Sequence, residues 1–432
     1  MPAGLRSASL IENARLNALV IVPNAVKGLF KPRATALRAT TTAGVDGRAL
    51  GFLRGLSRRH APGPVWVRVV RDRALLVLSR DDVRRVLDGS PDPFASDPET
   101  KRKGMTAFQP DALTISRGGA WQNRRRFTEA VLDSGRPHRH ADRFVAVARE
   151  EAEPLLDADE IGWDDWQRTF RRIARRVILG DSAREDDALT DLLGELMSEA
   201  NRMPGEPSKR LPELIERIRG YVDAAEDGSL AGLFEAAPAD PATRVEGQVQ
   251  HWLFATHDTL AINSFRCLAL LATHPRQRAA GQAELRDSPD GGPYLEACLH
   301  EAMRLWPTTP MLARETVRDV DWDGERVPAG TQVLIVNTLL HRDPERHDFA
   351  DRFAPEAWTD GDAAGDWSFN HLSHGPQGCP GSALALLLGR TLIARLLAAR
   401  RLTLVDSKLD PDRPLPAMLD FFPLRFRVAP AR

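Results

Sequence analysis

The sequence predicts a mainly α fold with a minor β portion. Six stretches keep apolar residues at helical spacing with few internal breakers: Trp121 to Val131, Trp163 to Leu179, Ala188 to Ala200, Leu211 to Ala225, Arg244 to Thr273 and Leu295 to Trp306. Runs rich in β-formers are few and short. The Pro/Gly/Asp clusters between elements, such as Ala236-Ala-Pro-Ala-Asp-Pro and Asp287-Ser-Pro-Asp-Gly-Gly-Pro, are too short for domain linkers. One domain over 1–432 is expected, with 1–60 as an N-terminal segment packed on a body of 61–432.

Near the start, Leu16-Asn-Ala-Leu-Val-Ile-Val-Pro23 is too short to span a bilayer and reads as packed on the core. The alternative reading is an apolar lip made with Val26, Leu29 and Phe30. Val65-Trp-Val-Arg-Val-Val and Ala74-Leu-Leu-Val-Leu, separated by Arg71-Asp-Arg, read as a hairpin. Helices follow. After them, Val320 to Asn337 holds an Asp323-Gly324 turn between short strands, then a Pro-Ala-Gly turn into a buried strand. Ser382-Ala-Leu-Ala-Leu-Leu-Leu-Gly-Arg-Thr-Leu-Ile-Ala-Arg-Leu-Leu reads as the last helix.

With 432 residues, 42% of them hydrophobic, the chain can bury a large core and a sizeable cofactor. A net charge of −1 gives no global field for nucleic acid. No stretch reads as the roughly 18 apolar residues of a transmembrane segment, and no signal-peptide pattern opens the chain, so a cytoplasmic protein is expected. No Gly-x-Gly-x-x-Gly follows a strand.

The strongest chemical signal is Leu372-Ser-His-Gly-Pro-Gln-Gly-Cys379-Pro-Gly381. Pro380 suits a first helical position, which would set the Cys379 sulfur at a helix N-terminus. Unpaired amides and the helix dipole would there favour the thiolate, a metal ligand or nucleophile. Gly375, Gly378 and Gly381 would let the backbone turn tightly and approach a flat ligand. Cys267 and Cys298 lie in apolar helical stretches and read as small core residues. No C-x-x-C or clustered His supports zinc, iron–sulfur or covalent haem attachment.

Gly375-x-x-x-Cys379-x-Gly381 resembles the cysteine-ligand loop of the cytochromes P450, the haem-thiolate monooxygenases. The family usually has Phe at Leu372 and Arg or His at Gln377. Glu301-x-x-Arg304 followed by Leu-x-Pro resembles the family's buried structural pair. The third partner is usually an Arg where this chain has Ala357, in Phe353-Ala-Pro-Glu-Ala357-Trp358, so another residue or water must serve. Ala255-Thr-His-Asp258-Thr259 resembles the distal-helix Ala-Gly-x-Asp/Glu-Thr, with Thr256 at the Gly position. By itself such a Thr usually bonds back to a preceding carbonyl.

The resemblance implies the P450 fold, a helical body enclosing haem b with small β-sheets beside it. It implies Cys379 as the iron ligand, with Asp258 and Thr259 delivering protons during dioxygen activation. Trp121, Arg125 and Arg314 would hold the propionates, and Ala255, Gly375 and Gly381 would contact haem. Pocket walls by family position are Phe108, Leu113, Ile115, Phe254, Thr256, Met311, Leu312, Leu419, Phe421 and Phe422. The implied reaction is dioxygen-dependent oxidation, such as hydroxylation, of an apolar small molecule, of the kind found in secondary metabolism. Two electrons would come from a ferredoxin- or flavodoxin-type donor with an NAD(P)H reductase. Arg124 and Arg126 beside Arg125 would form a basic patch for that donor. Alternative readings are a peroxide-driven or non-hydroxylating haem-thiolate enzyme, and a haem-binding sensor without turnover.

Overall fold

Apolar residues recurring along Trp163–Leu179 and Ala261–Thr273 force two helices into the middle of the protein, where both bury most of their length. The computed structural model describes residues 5–202, 205–361, 363–406 and 409–430. Trp163–Leu179 stops at Gly180, whose φ of +111° suits glycine. The Glu226 carboxylate there accepts from the amides of Asp181 and Ser182, at 2.6 and 3.1 Å, where a Cβ would stand.

The long helix expected from Arg244 to Thr273 forms in three parts. Val245–Phe254 is α, Ala255–Leu260 is a π turn, and Ala261–Thr273 is α again. Such single π turns inside α-helices concentrate at functional sites. The turn is braced from outside, because the Trp166 indole donates to the Ala261 carbonyl (3.0 Å) and the Ser264 hydroxyl (3.3 Å).

The expected hairpin is Val65–Val69 paired with Asp72–Val77, turning through Val70 at positive φ. It joins a six-stranded sheet, in order Arg6–Ser7, Val65–Val69, Asp72–Val77, Gln332–Val336, Met311–Thr316, Phe94–Ala95. Asp323 and Gly324, both at positive φ, link Val320–Trp322 to Glu325–Val327 in the type of turn that suits hairpin twist. A third sheet joins Arg400–Leu404, Arg425–Pro430 and Glu160–Gly162.

The other predicted helices form close to their expected bounds, with Asp187–Ala200, Leu211–Ala224 and Pro293–Leu305 among them. Two further long helices, Val45–His60 and Ala141–Leu156, lie outside the six predicted stretches. In the N-terminal segment Leu16 and Val20 are buried, whereas Val22, Val26 and Leu29 stay exposed, so it packs and also keeps an apolar outer face. The expectation of no span-length apolar stretch is corrected by Ser382–Ala399, whose 18 residues reach a mean hydropathy of 1.6. Half of that helix is buried inside the protein, as befits a core element.

Trp166→Phe removes the two indole hydrogen bonds that brace the π turn, while the Ala261 carbonyl keeps the Ser264 hydroxyl as donor. A loss of about 0.5–1.5 kcal/mol is expected in urea unfolding.

Candidate functional site

The cysteine loop is shaped by its own backbone. The Cys379 amide donates to the Leu372 carbonyl at 2.8 Å, and Gly375–Gln377 makes one 3-10 turn closed by the Gly378 amide on the Gly375 carbonyl at 2.9 Å. Gly375 has φ +65°, and a Cβ there would lie 2.5 Å from the Leu87 carbonyl. Its glycine is therefore required by the close approach of the Arg80–Asp88 helix. The Gly118–Leu132 helix and the residues after it hold the loop from another side. Arg125 Nη1 donates to the Gly378 carbonyl (2.7 Å) and Ser134 Oγ to the Pro380 carbonyl (2.6 Å).

Two expectations for the loop are corrected. The helix begins at Ser382 with Gly381 as its cap, so Pro380 lies in a turn rather than at the first helical position. The Cys379 thiol pKa is pushed up by burial, which outweighs the Gly381 backbone hydrogen bond and the nearby Arg125 guanidinium. Deprotonation must then come from metal binding itself, since ligation releases the thiol proton. Cys379 keeps accessible surface although protein surrounds it, so its sulfur faces a space walled by the chain.

Donors around the loop fit an anionic, flat cofactor. The Trp121 indole has no hydrogen-bond partner among the described residues. Arg314 is buried, bonded to the hydroxyls of Ser90 and Ser373 (both 3.2 Å) and paired with no carboxylate among the described residues. Its pKa is pulled down to about 10 by burial, a cost that an arriving carboxylate would relieve. Both polar atoms of the Gln377 amide are buried without partners. Arg125 is less free, since its Nε already binds Glu129 at 2.7 Å. Haem b, with two propionates and an iron for Cys379, matches this donor set.

Beneath the loop, Glu301 and Arg304 are completely buried. Arg304 grips both Glu301 oxygens (2.5 and 2.8 Å) and donates to the carbonyls of His341, Ala350 and Arg352 (2.9, 2.9 and 2.8 Å). The third partner left open by Ala357 is its neighbour Trp358, whose indole donates to Glu301 Oε1 at 2.8 Å. A donor one position along was the only signal in the sequence. Trp358 stacks on His300 at 4.6 Å, and His300 Nδ1 meets His371 Nε2 at 2.9 Å. His371 immediately precedes Leu372 of the cysteine loop.

On the distal side, Asp258 is buried, accepts from Gln167 Nε2 at 2.8 Å and lies 3.5 Å from His257 Nε2. Burial raises its pKa, but His257, Gln167 and Arg171 together outweigh that and hold the carboxyl low. Thr256 and Thr259 make no side-chain hydrogen bond among the described residues. Ser264 and Thr273 on the same helix do bond back, to the Leu260 and Ala269 carbonyls at 2.7 and 2.8 Å. The π turn thus keeps two hydroxyls and Ala255 open.

The expected walls divide. Leu312 shares a strand face with Arg314, while Met311 alternates to the other face and lines a cavity with Leu19, Val20, Leu53, Val336 and Met418. Phe108 is fully buried against Phe30 and Phe254, with Leu113 and Ile115 nearly so. Phe421 packs on Trp163 at 4.5 Å and on Phe422 at 4.3 Å. Arg266 from the long helix holds the Leu419 carbonyl at 3.0 Å. Of the basic patch, Arg124 is buried against Asp111 at 2.7 Å and Arg125 is paired, which leaves Arg126 exposed.

An accessible cysteine in a helix-flanked loop, a buried Glu/Arg pair and a π turn whose threonine hydroxyls have no partner among the described residues together match the haem-thiolate class of site. The sequence profile described as Cytochrome P450 matches residues 241–420. Cytochrome P450 714C3 of Oryza sativa subsp. japonica is 25% identical over 394 residues, covering 78% of this chain and 76% of that protein. Cytochrome P450 4c3 of Drosophila melanogaster is 31% identical over 182 residues, covering 38% of this chain and 34% of that protein. The chain thus spans about a third of the length of several curated relatives it matches. The solved structure of retinoic acid bound cyanobacterial CYP120A1 superposes with a TM-score of 0.69 at 18% identity, over 88% of this chain and 94% of that one. Residues 241–420 thus carry the cytochrome P450 family domain, and the cofactor of that family is haem b.

Trp358→Phe should cost about 1.5–3 kcal/mol in denaturant titration, because Glu301 keeps its buried charge and loses a donor. Burial lowers the pKa of His300 to about 4, of His341 to about 3 and of His371 well below its usual value. An imidazole held low takes up its proton in the unfolded chain first. Stability is then fully present above about pH 6.5 and is lost as pH falls toward the folded values, by up to about 1.4 kcal/mol per unit for each ring. Unfolding free energies measured from pH 7 to 5 should show that decline, and a flat profile would contradict it.

Proposed function

We propose that the protein is a haem-thiolate monooxygenase that oxidises, by hydroxylation in the simplest case, an apolar small molecule with dioxygen and two external electrons. Family membership supports the class, and the free Thr259 hydroxyl on a π turn beside buried Asp258 supports turnover rather than simple haem storage. Bound through Cys379, haem supplies dioxygen activation.

The chain's own residues supply position and protons. Cys379 offers its sulfur to the iron, while Arg125 and Ser134 fix the loop that carries it. Trp121, Arg314 and Gln377 would hold the propionates. Asp258 keeps a negative charge in a buried place and can receive a proton from one side and pass it to Thr259 on the other. Thr259 both donates and accepts, so its unpaired hydroxyl is suited to the last transfer. Electrons come from a separate ferredoxin- or flavodoxin-type protein with an NAD(P)H reductase, docking near Arg126. A cytoplasmic location rests on the core position of the Ser382–Ala399 helix. The sensor reading, which Ala357 in the third-partner place favours, is weakened because Trp358 fills that place.

The reduced carbon-monoxide difference spectrum should show the Soret band in the thiolate position, and Cys379→Ala should abolish it. A spectrum without that band would overturn the haem-thiolate reading. With a surrogate ferredoxin and reductase, Asp258→Asn should slow turnover by roughly 10²-fold or more. Thr259→Ala should divert reducing equivalents from product to hydrogen peroxide. Equal coupling in Thr259→Ala and the unchanged enzyme would remove Thr259 from the proton path. Added salt should slow reduction by the donor if charge steers docking.

A further inference from the structure

The N-terminal segment turns an apolar face to solvent. Residues 10–27 run as one continuous helix, α over Leu10–Leu16, a π turn over Asn17–Ile21 and α again over Val22–Lys27. Leu16 and Val20 face the core. On the other side, exposed residues recur every three or four positions through Ile11, Ala14, Ala18, Val22 and Val26 to Leu29, just beyond the helix end. Of the eight exposed residues in the helix, only Arg15 is polar. A helix packed on a globular body normally turns charge to solvent, so an apolar outer face is the exception here. Among the described residues, exposed large aliphatic side chains are confined to Leu10, Ile11, Val22, Val26, Leu29 and Val70.

Val70 belongs to the same patch, because its hairpin is tied to the helix. The Arg68 amide donates to Asn13 Oδ1 (2.6 Å), Asn17 Nδ2 to the Arg68 carbonyl (2.8 Å) and the Val70 amide to Asn17 Oδ1 (2.7 Å). The flanks are basic. Arg15, Arg68 and Arg71 are exposed and have no ion pair among the described residues. Arg33, whose Nη1 donates to the Val26 carbonyl at 3.2 Å, has none either. Glu12 on the helix is engaged by Arg59 (2.9 Å) and His60 (3.2 Å), which leaves Asp72 as the acid at the hairpin turn. Residues 1–73 carry thirteen Lys and Arg against three Asp and Glu, in a chain whose net charge is −1. Positive charge is thus gathered in the part of the chain that carries the apolar face.

We propose that this face docks on an anionic lipid bilayer, with the helix lying in the plane of the interface. Aliphatic side chains that enter the headgroup boundary, with arginines beside them, are the combination such a surface takes. The helix does not cross, since Leu16 and Val20 on its inner side are packed on the body. Two other occupants fit less well. A second copy docked face to face would set two groups of unpaired arginines against each other. Protein interfaces favour aromatic residues and Met, none of which stands exposed on residues 5–30.

The test sediments the full-length holoprotein with vesicles of phosphatidylcholine alone or with about 30% phosphatidylglycerol. The anionic vesicles should bind it roughly ten-fold or more tightly, and added salt should weaken that binding. Val26→Asp with Leu29→Asp should reduce binding roughly ten-fold or more and leave the carbon-monoxide spectrum and the urea midpoint unchanged, because both side chains are exposed. Arg15→Ala with Arg71→Ala should remove the preference for the anionic lipid. No binding of the unchanged protein, or equal binding to both kinds of vesicle, overturns the proposal without any variant. Anionic binding that survives Val26→Asp with Leu29→Asp overturns it by placing the contact on another basic surface. Self-association without lipid that the same variant dissolves would give the face to a second copy instead. Slower reduction of that variant by the electron donor without lipid would give it to the donor protein.

Discussion

Everything on the cysteine side of this protein hangs on one buried ion pair. Glu301 and Arg304 have no solvent to share their charge, so each must be satisfied by the chain. Arg304 does this by collecting carbonyls from His341, Ala350 and Arg352, which gathers the irregular 341–352 segment around one guanidinium. Glu301 does it by accepting the Ala354 amide and the Trp358 indole, both at 2.8 Å. The segment leading to the cysteine loop is therefore positioned by charge satisfaction more than by regular secondary structure. The replacement of a guanidinium by an indole also lowers the local positive charge by one. Arg304 alone balances Glu301, and burial keeps His300 and His371 neutral nearby.

Long helices, the hairpin and the Asp323-Gly324 turn were legible because each carries its own periodicity or turn chemistry. Val45–His60 was not, since six of its sixteen residues are Arg, Asp or His and three are Gly, which dilutes the apolar stripe. Ala141–Leu156 contains Pro154 near its end, and a proline reads as a breaker although the last turn tolerates it here. Pro380 misled in the opposite direction. Its preference for a first helical position is a local one, and the turn through Gly381 overrides it.

The site was legible where the family motif coincides with a chemical need, and hidden where the partner is distant. Trp358 serves Glu301 from 57 residues away. The thiolate expectation failed for a related reason. A dipole and an amide can be read from sequence, whereas the extent of burial that opposes them depends on the whole fold.

The distal helix shows how a departure from the family pattern can leave its geometry intact. Thr256 stands at the place usually held by Gly, and the π turn forms there nonetheless. Glycine is then not required for the bulge, whose bracing comes from the Trp166 indole across the helix interface. A threonine in a regular turn would fold its hydroxyl onto a carbonyl four residues back, as Thr273 does. In the widened turn neither Thr256 nor Thr259 does so. A hydroxyl that declines its own helix in an enclosed space must find its partner among whatever enters that space, and this chain presents two of them beside one buried carboxylate.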